Sequence, residues 1–153
     1  MHASESNNNL RVPPDIDFGR AVAYETALSL RFWDEALVPD EITSALGIQP
    51  HIAHLADIAL SPLESVPPPV GMWAYWAFDS RESDLEEGVL HFLDHLPQDL
   101  DIWRSLTTKY SGVLVCGLRF DKYHGGQFLS VATLKKIAQR GLALDLDLKF
   151  DGV

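Results

Sequence analysis

A chain of 153 residues with 46% hydrophobic and 22% charged residues has globular composition and a length typical of one domain. Its 22 Asp and Glu outnumber 12 Lys and Arg, and the formal charge of −10 repels phosphate backbones rather than releasing their counterions, so nucleic acid is a poor partner. Cys116 is the single cysteine, which rules out an intrachain disulfide and any Cys/His zinc pattern and points to a reducing, cytoplasmic home.

Folding a chain of this size removes roughly 69% of the extended chain's surface from water, so neither metal nor disulfide is needed to supplement the core. Residues 1–20 are polar, with Asn7 to Asn9 and a Pro13-Pro14 pair. They lack the basic start and apolar run of a secretory signal and read as a disordered leader, leaving residues 21–153 as a single domain. The longest apolar run, Met72 to Phe78, is far shorter than the roughly 20 residues of a membrane-spanning helix, so no membrane segment is expected.

The first element begins at Tyr24, where Tyr24, Thr26, Leu28, Leu30 and Phe32 alternate with Glu25, Ser29 and Arg31 as in a half-buried strand. Pro39 suits a first helical position, Asp40 and Glu41 suit the positive end of the helix dipole, and Gly47 can end the helix left-handed. Ile42 and Leu46, one turn apart, would face the core. His51 to Asp57 is a weaker strand candidate, because its alternation is imperfect and alanine has low strand propensity. Ser61 to Gly71, with Pro67-Pro68-Pro69, cannot supply the donors of a sheet interior and reads as an extended loop.

Met72 to Phe78 follows as an aromatic strand. Asp84 is a natural cap for a helix whose Leu85, Val89, Phe92, Leu93 and Leu96 form one apolar stripe, with Pro97 ending it. A further helix is expected over Leu100 to Tyr110, and Val113 to Phe120 is apolar enough for a central strand. Gly125-Gly126 marks a turn. Ser130 caps a helix carrying Val131, Leu134, Ile137 and Ala138, which stops at Gly141. Finally, Leu142, Leu144, Leu146, Leu148 and Phe150 alternate strictly with Ala143, Asp145, Asp147, Lys149 and Asp151, predicting a strand with one face buried and the other wet.

Leu30-Arg31-Phe32 and Leu118-Arg119-Phe120 each precede a helix, a glycine and another strand. Two such strand-helix-strand units predict an α+β fold, a mixed or antiparallel sheet with helices on one face, ferredoxin-like and possessing an internal duplication.

The Leu-Arg-Phe strand, Pro39-Asp40-Glu41-Ile42-Thr43, Leu46-Gly47-Ile48-Gln49-Pro50, Gly71-Met72-Trp73 and the Gly141-Leu142 entry into an Asp-rich last strand together resemble the bacterial domain-of-unknown-function family 4279. The resemblance covers most of Tyr24 to Asp151. It implies a small bacterial α+β domain and brings no established activity, cofactor or catalytic residue.

Candidate chemistry is sparse. His91 and His95 stand one helical turn apart with Asp94 beside them, a spacing that a metal could use, yet both lie off the apolar stripe where solvent is the natural neighbour. His51 and His54 point to opposite strand faces. Asp145 and Asp147 project from one side of the last strand roughly 7 Å apart, close enough to share acid and base roles, although a solvated strand face has the same spacing. Cys116 shares a face with Leu114, Leu118 and Phe120 and reads as a buried thiol. His124-Gly125-Gly126-Gln127 lacks the spacing of a phosphate loop. Lys135, Lys136 and Arg140, the only basic cluster, read as solvation of a helix and a complement to its dipole. No cofactor and no metal is expected.

If Met72, Ala74, Trp76 and Phe78 face the core, Trp73 and Tyr75 lie on the opposite side as anchors for a partner or ligand. The function expected is therefore a non-enzymatic binding or protein-interaction domain, of which an immunity-type protein that neutralises a toxin is one example, with a partner of basic surface complementing the charge. The alternative is a small enzyme whose acid and base come from Asp145, Asp147 or His124, converging on folding.

Overall fold

A computed structural model describes residues 25–57, 69–79, 85–121 and 126–151. Within them, β1 (Glu25–Asp34), α1 (Pro39–Leu46), β2 (Ile52–His54), β3 (Gly71–Asp79), α2 (Leu85–Asp94), α3 (Leu100–Lys109), β4 (Ser111–Phe120), α4 (Val131–Gln139) and β5 (Ala143–Phe150) follow in order. The leader, Tyr24, most of the Ser61–Gly71 loop, the Asp84 cap and His124-Gly125 fall outside the described residues.

The strands form one mixed sheet in the order β2-β3-β1-β4-β5. β1 runs antiparallel to both β3 and β4, β2 antiparallel to β3, and β4 parallel to β5. Both strand-helix-strand units are thus parallel, as crossovers require, but they differ: β3 separates β1 from β2, whereas β4 and β5 are adjacent. The α+β class holds. The ferredoxin-like duplication is not confirmed.

Each helix forms where its local chemistry directs. α1 starts at Pro39 with Asp40 and Glu41 in its first turn and ends at Gly47, whose φ of 69° is the left-handed stop. α3 is capped by Asp99, whose side chain accepts from the Asp101 N–H, and α4 by Ser130, whose hydroxyl accepts from the Thr133 N–H. Ile42, Leu46, Val89, Phe92, Trp103, Leu106 and Ile137 carry these helices onto Leu28, Leu30, Phe32, Leu114, Cys116 and Leu118. All of those strand residues share one face of the sheet, because the register sets Leu28 beside Cys116 and Leu30 beside Leu114.

The last strand departs from expectation. Leu142 is buried and Leu144 half-buried, but Leu146, Leu148 and Phe150 are 49%, 46% and 43% exposed although they lie on the helix side of the sheet. β5 is the border strand, and α4 covers only its beginning among the described residues. Arg140 also differs from the solvated cation expected: it is buried, its guanidinium lying 5.7 Å from the Trp103 ring centre and donating to Lys136 O and Gln98 Oε1. A planar, weakly hydrated cation tolerates such a site where an ammonium would not.

Candidate interaction surface

The face assignment of β3 is the reverse of that read from the sequence. Phe32 pairs with Trp73, Leu30 with Tyr75 and Leu28 with Ala77, so Trp73 and Tyr75 turn towards the helices while Met72, Ala74 and Trp76 lie on the other side. The Trp73 ring is fully buried, meets Phe32 edge-on at 5.9 Å, and donates its Nε1–H to Thr43 Oγ1 at 3.0 Å. Tyr75 is half-buried and stacks with Phe92 of α2 at 6.0 Å. The reason is local. Met72 to Phe78 is apolar on both sides, so its own pattern cannot decide a face, and pairing with the alternating β1 decides instead. Trp76, on the helix-free side, stacks on His51 at 4.7 Å, and its backbone N–H donates to His51 Nδ1.

Asp145 and Asp147 do share a face, the helix-free one, in register with Val115 and Gly117, and both are exposed. His124 lies outside the described residues. His91 and His95 form an exposed pair with ring centres 4.4 Å apart, and His95 Nδ1 lies 2.7 Å from the His91 carbonyl oxygen. Among the described residues no three His, Cys, Asp or Glu side chains gather as a metal site. Cys116 is buried, and its thiol is pushed up to about 12, first by burial and then by the charge of Asp145.

An open cleft of about 420 Å³ lies at one end of the sheet, where Trp33 and Asp34 leave β1, Tyr110 to Gly112 enter β4, and Gly141 and Ala143 lead into β5. Several of its polar groups are already engaged. Thr107 and Thr108 hydroxyls donate back to helix carbonyls of Trp103 and Arg104. Tyr110 OH donates to Glu41 Oε2 at 2.6 Å, and Lys109 reaches the same oxygen at 3.3 Å. These two donors, the tyrosine first, hold the Glu41 carboxyl below its ordinary range, while burial and then Glu41 push the Tyr110 phenol up. The lining of this cleft includes neither Asp145 nor Asp147.

Sequence reasoning missed the exposed apolar side chains of α4 and β5. Phe128, Val131 and Leu134, before and along α4, and Leu146, Leu148 and Phe150 on β5 are all large, apolar and exposed. The sequence places Val131, Leu134, Ile137 and Ala138 in one recurring set, but the helix buries Ile137 with Thr133 and leaves Val131, Leu134 and Ala138 exposed.

With the fold defined, comparison with family models gives one match, Domain of unknown function (DUF4279), over residues 24–151. The chain belongs to this DUF4279 family. The matched span runs from the start of β1 to the end of β5 and so takes in every described element of the DUF4279 domain. No curated protein and no solved structure matches the chain. No described helix of this DUF4279 domain is long and apolar enough to cross a membrane.

Proposed function

We propose that this DUF4279 domain is a non-enzymatic protein-binding module whose contact surface is the exposed apolar face of β5. The observation that carries the reading is the row of Leu146, Leu148 and Phe150, alternate positions of one strand that share a face and are all exposed. Single apolar side chains on a surface are ordinary, but a group of large ones within one structural unit marks a place where another molecule sits. The polar candidates lend no comparable support to catalysis, since Asp145 and Asp147 stand on an exposed strand face and the Tyr110 hydroxyl of the sheet-end cleft is committed to Glu41. A charge of −10 favours a partner of basic surface through steering of the encounter, as it would for an immunity-type protein meeting a basic toxin.

A photo-crosslinking side chain placed at Leu146, compared with one at the exposed polar Lys135, tests this in native lysate. The expected result is an adduct from position 146 with a basic protein, weakened by added salt and distinct in mass from any self-adduct of the chain. Equal adduct patterns from both positions, or none from 146, would count against the reading.

A further inference from the structure

The two borders of the sheet are unlike. β2 offers only Ile52–His54, two residues after Pro50, and a three-residue edge is a common way to block unwanted pairing. β5 offers eight residues, in unbroken register with β4 from Ala143 to Phe150 and with no strand on its outer side among the described residues. The Asp151 N–H donates to Phe120 O at 2.8 Å, so the odd-numbered positions turn their backbone groups towards β4. Backbone groups alternate along a strand, and those of Leu144, Leu146, Leu148 and Phe150 therefore point to the open border. A long, flat edge with exposed Leu and Phe side chains is a template for another strand.

We propose that the partner at this border is a second copy of the chain, its β5 pairing antiparallel to the first about a two-fold axis at Leu148. Side chains opposite one another across an antiparallel pair lie on the same face. With the axis at Leu148, Leu148 meets Leu148, and Leu146 meets Phe150 of the second copy twice over, all on the helix side. On the other face Asp147 meets Lys149 of the second copy, again twice. The neighbouring registers fail on charge: one sets Asp147 against Asp147 on the axis, the other Lys149 against Lys149. The chosen register does bring Asp145 opposite Asp151, but Arg119 already neutralises Asp151 across 3.1 Å. The result is an isologous, ten-stranded sheet whose helices all lie on one side. Pairing consumes main-chain groups and leaves the apolar floors of the two β5 strands side by side, so it goes beyond the protein-binding reading and stands or falls separately from it.

Sedimentation equilibrium of the purified full chain is expected to give a dimer. Asp147→Lys and Lys149→Asp should each weaken it by about tenfold through like charges at two symmetric positions, and the double swap should restore it. Leu148→Cys should form a covalent dimer on mild oxidation, because facing Cα atoms in such a pair sit about 5.5 Å apart, within disulfide reach. Ala143→Cys should not, and buried Cys116 supplies no background. A monomer at every concentration, or a folded Leu148→Cys variant that never cross-links, overturns the proposal. A monomer that still gives the position-146 adduct overturns self-pairing and leaves the binding reading intact.

Discussion

Trp73 donates its indole N–H to the Thr43 hydroxyl 3.0 Å away, tying the start of β3 to the middle of α1. Thr43→Val keeps the shape but leaves that buried donor unpaired, which should cost about 1–3 kcal/mol in urea denaturation. Trp73→Ala empties a fully buried site and should cost about 3–5 kcal/mol. Values within about 0.5 kcal/mol of the parent for both variants would mean that the indole is not packed as described.

The Tyr110–Glu41 bond predicts losses at both ends of the pH range. Glu41 has a lowered folded value, so its contribution is present above the unfolded carboxylate range, about 4.3, and is lost as pH falls through the folded value. Tyr110 is raised, so its contribution is complete below about 10 and is lost as pH climbs through its folded value. Tyr110→Phe should move the Glu41 titration, followed by carboxyl NMR shifts, upwards towards the ordinary range. A Glu41 titration unmoved by Tyr110→Phe would show that the bond is absent in solution.

Gly47 and Gly141 have nearly equal φ, 69° and 70°, but different surroundings. A Cβ at Gly47 would meet nothing within 4 Å, whereas one at Gly141 would collide with the Thr107 side chain. Gly47→Ala should therefore cost only the left-handed backbone penalty, about 1–2 kcal/mol. Gly141→Ala should cost more. Thermal unfolding of the two variants separates strain from collision, and equal losses would show that Thr107 moves aside freely.

Thr133 Oγ1 donates to Glu86 at 2.8 Å, and the Ser130 N–H donates to the same carboxylate oxygen, so α2 holds the start of α4. Ser130, whose hydroxyl accepts from the Thr133 N–H, should cost about 1 kcal/mol when changed to alanine. The Glu86 carboxyl is lowered, first by its Ser130 bond, so this junction should weaken as pH falls below the ordinary carboxylate range. Amide exchange of α4 measured across that range is the check; exchange rates for α4 that track global unfolding at every pH would speak against a local junction.

Cys116, with its thiol pushed up to about 12 by burial, should react with a thiol reagent only when the protein opens. Its modification rate should follow unfolding as urea is added. Rapid labelling of the native protein would contradict its placement in the core.

Much of the fold was legible because it is written in local chemistry. Pro39 and Gly47 bracket α1, Ser130 and Gly141 bracket α4, and the apolar run around Leu114 gives an interior strand. What was illegible depends on neighbours. The face of β3 follows from Phe32 opposite Trp73, a pairing 41 positions apart that no property of Met72 to Phe78 encodes. The exposure of Leu146 and Leu148 follows from β5 standing last in the sheet, while its sequence reads like that of a covered strand. Tyr110 and Glu41 meet across 69 positions, so the strongest polar contact of the sheet-end cleft left no trace in spacing. On α4 the sequence set Val131, Leu134, Ile137 and Ala138 together, and which of them is buried was decided by the neighbours that Ile137 and Thr133 meet.

The shortness of β2 limits how far the protein can associate. The opposite flank offers only three residues of β2 and the part of β3 that β2 leaves uncovered, so growth through it has little to pair with, and a pair of chains joined through β5 extends poorly beyond two. A molecule with two long borders could polymerise into a ribbon; this one terminates as a closed pair, so the exposed leucines of β5 need not lead to fibres.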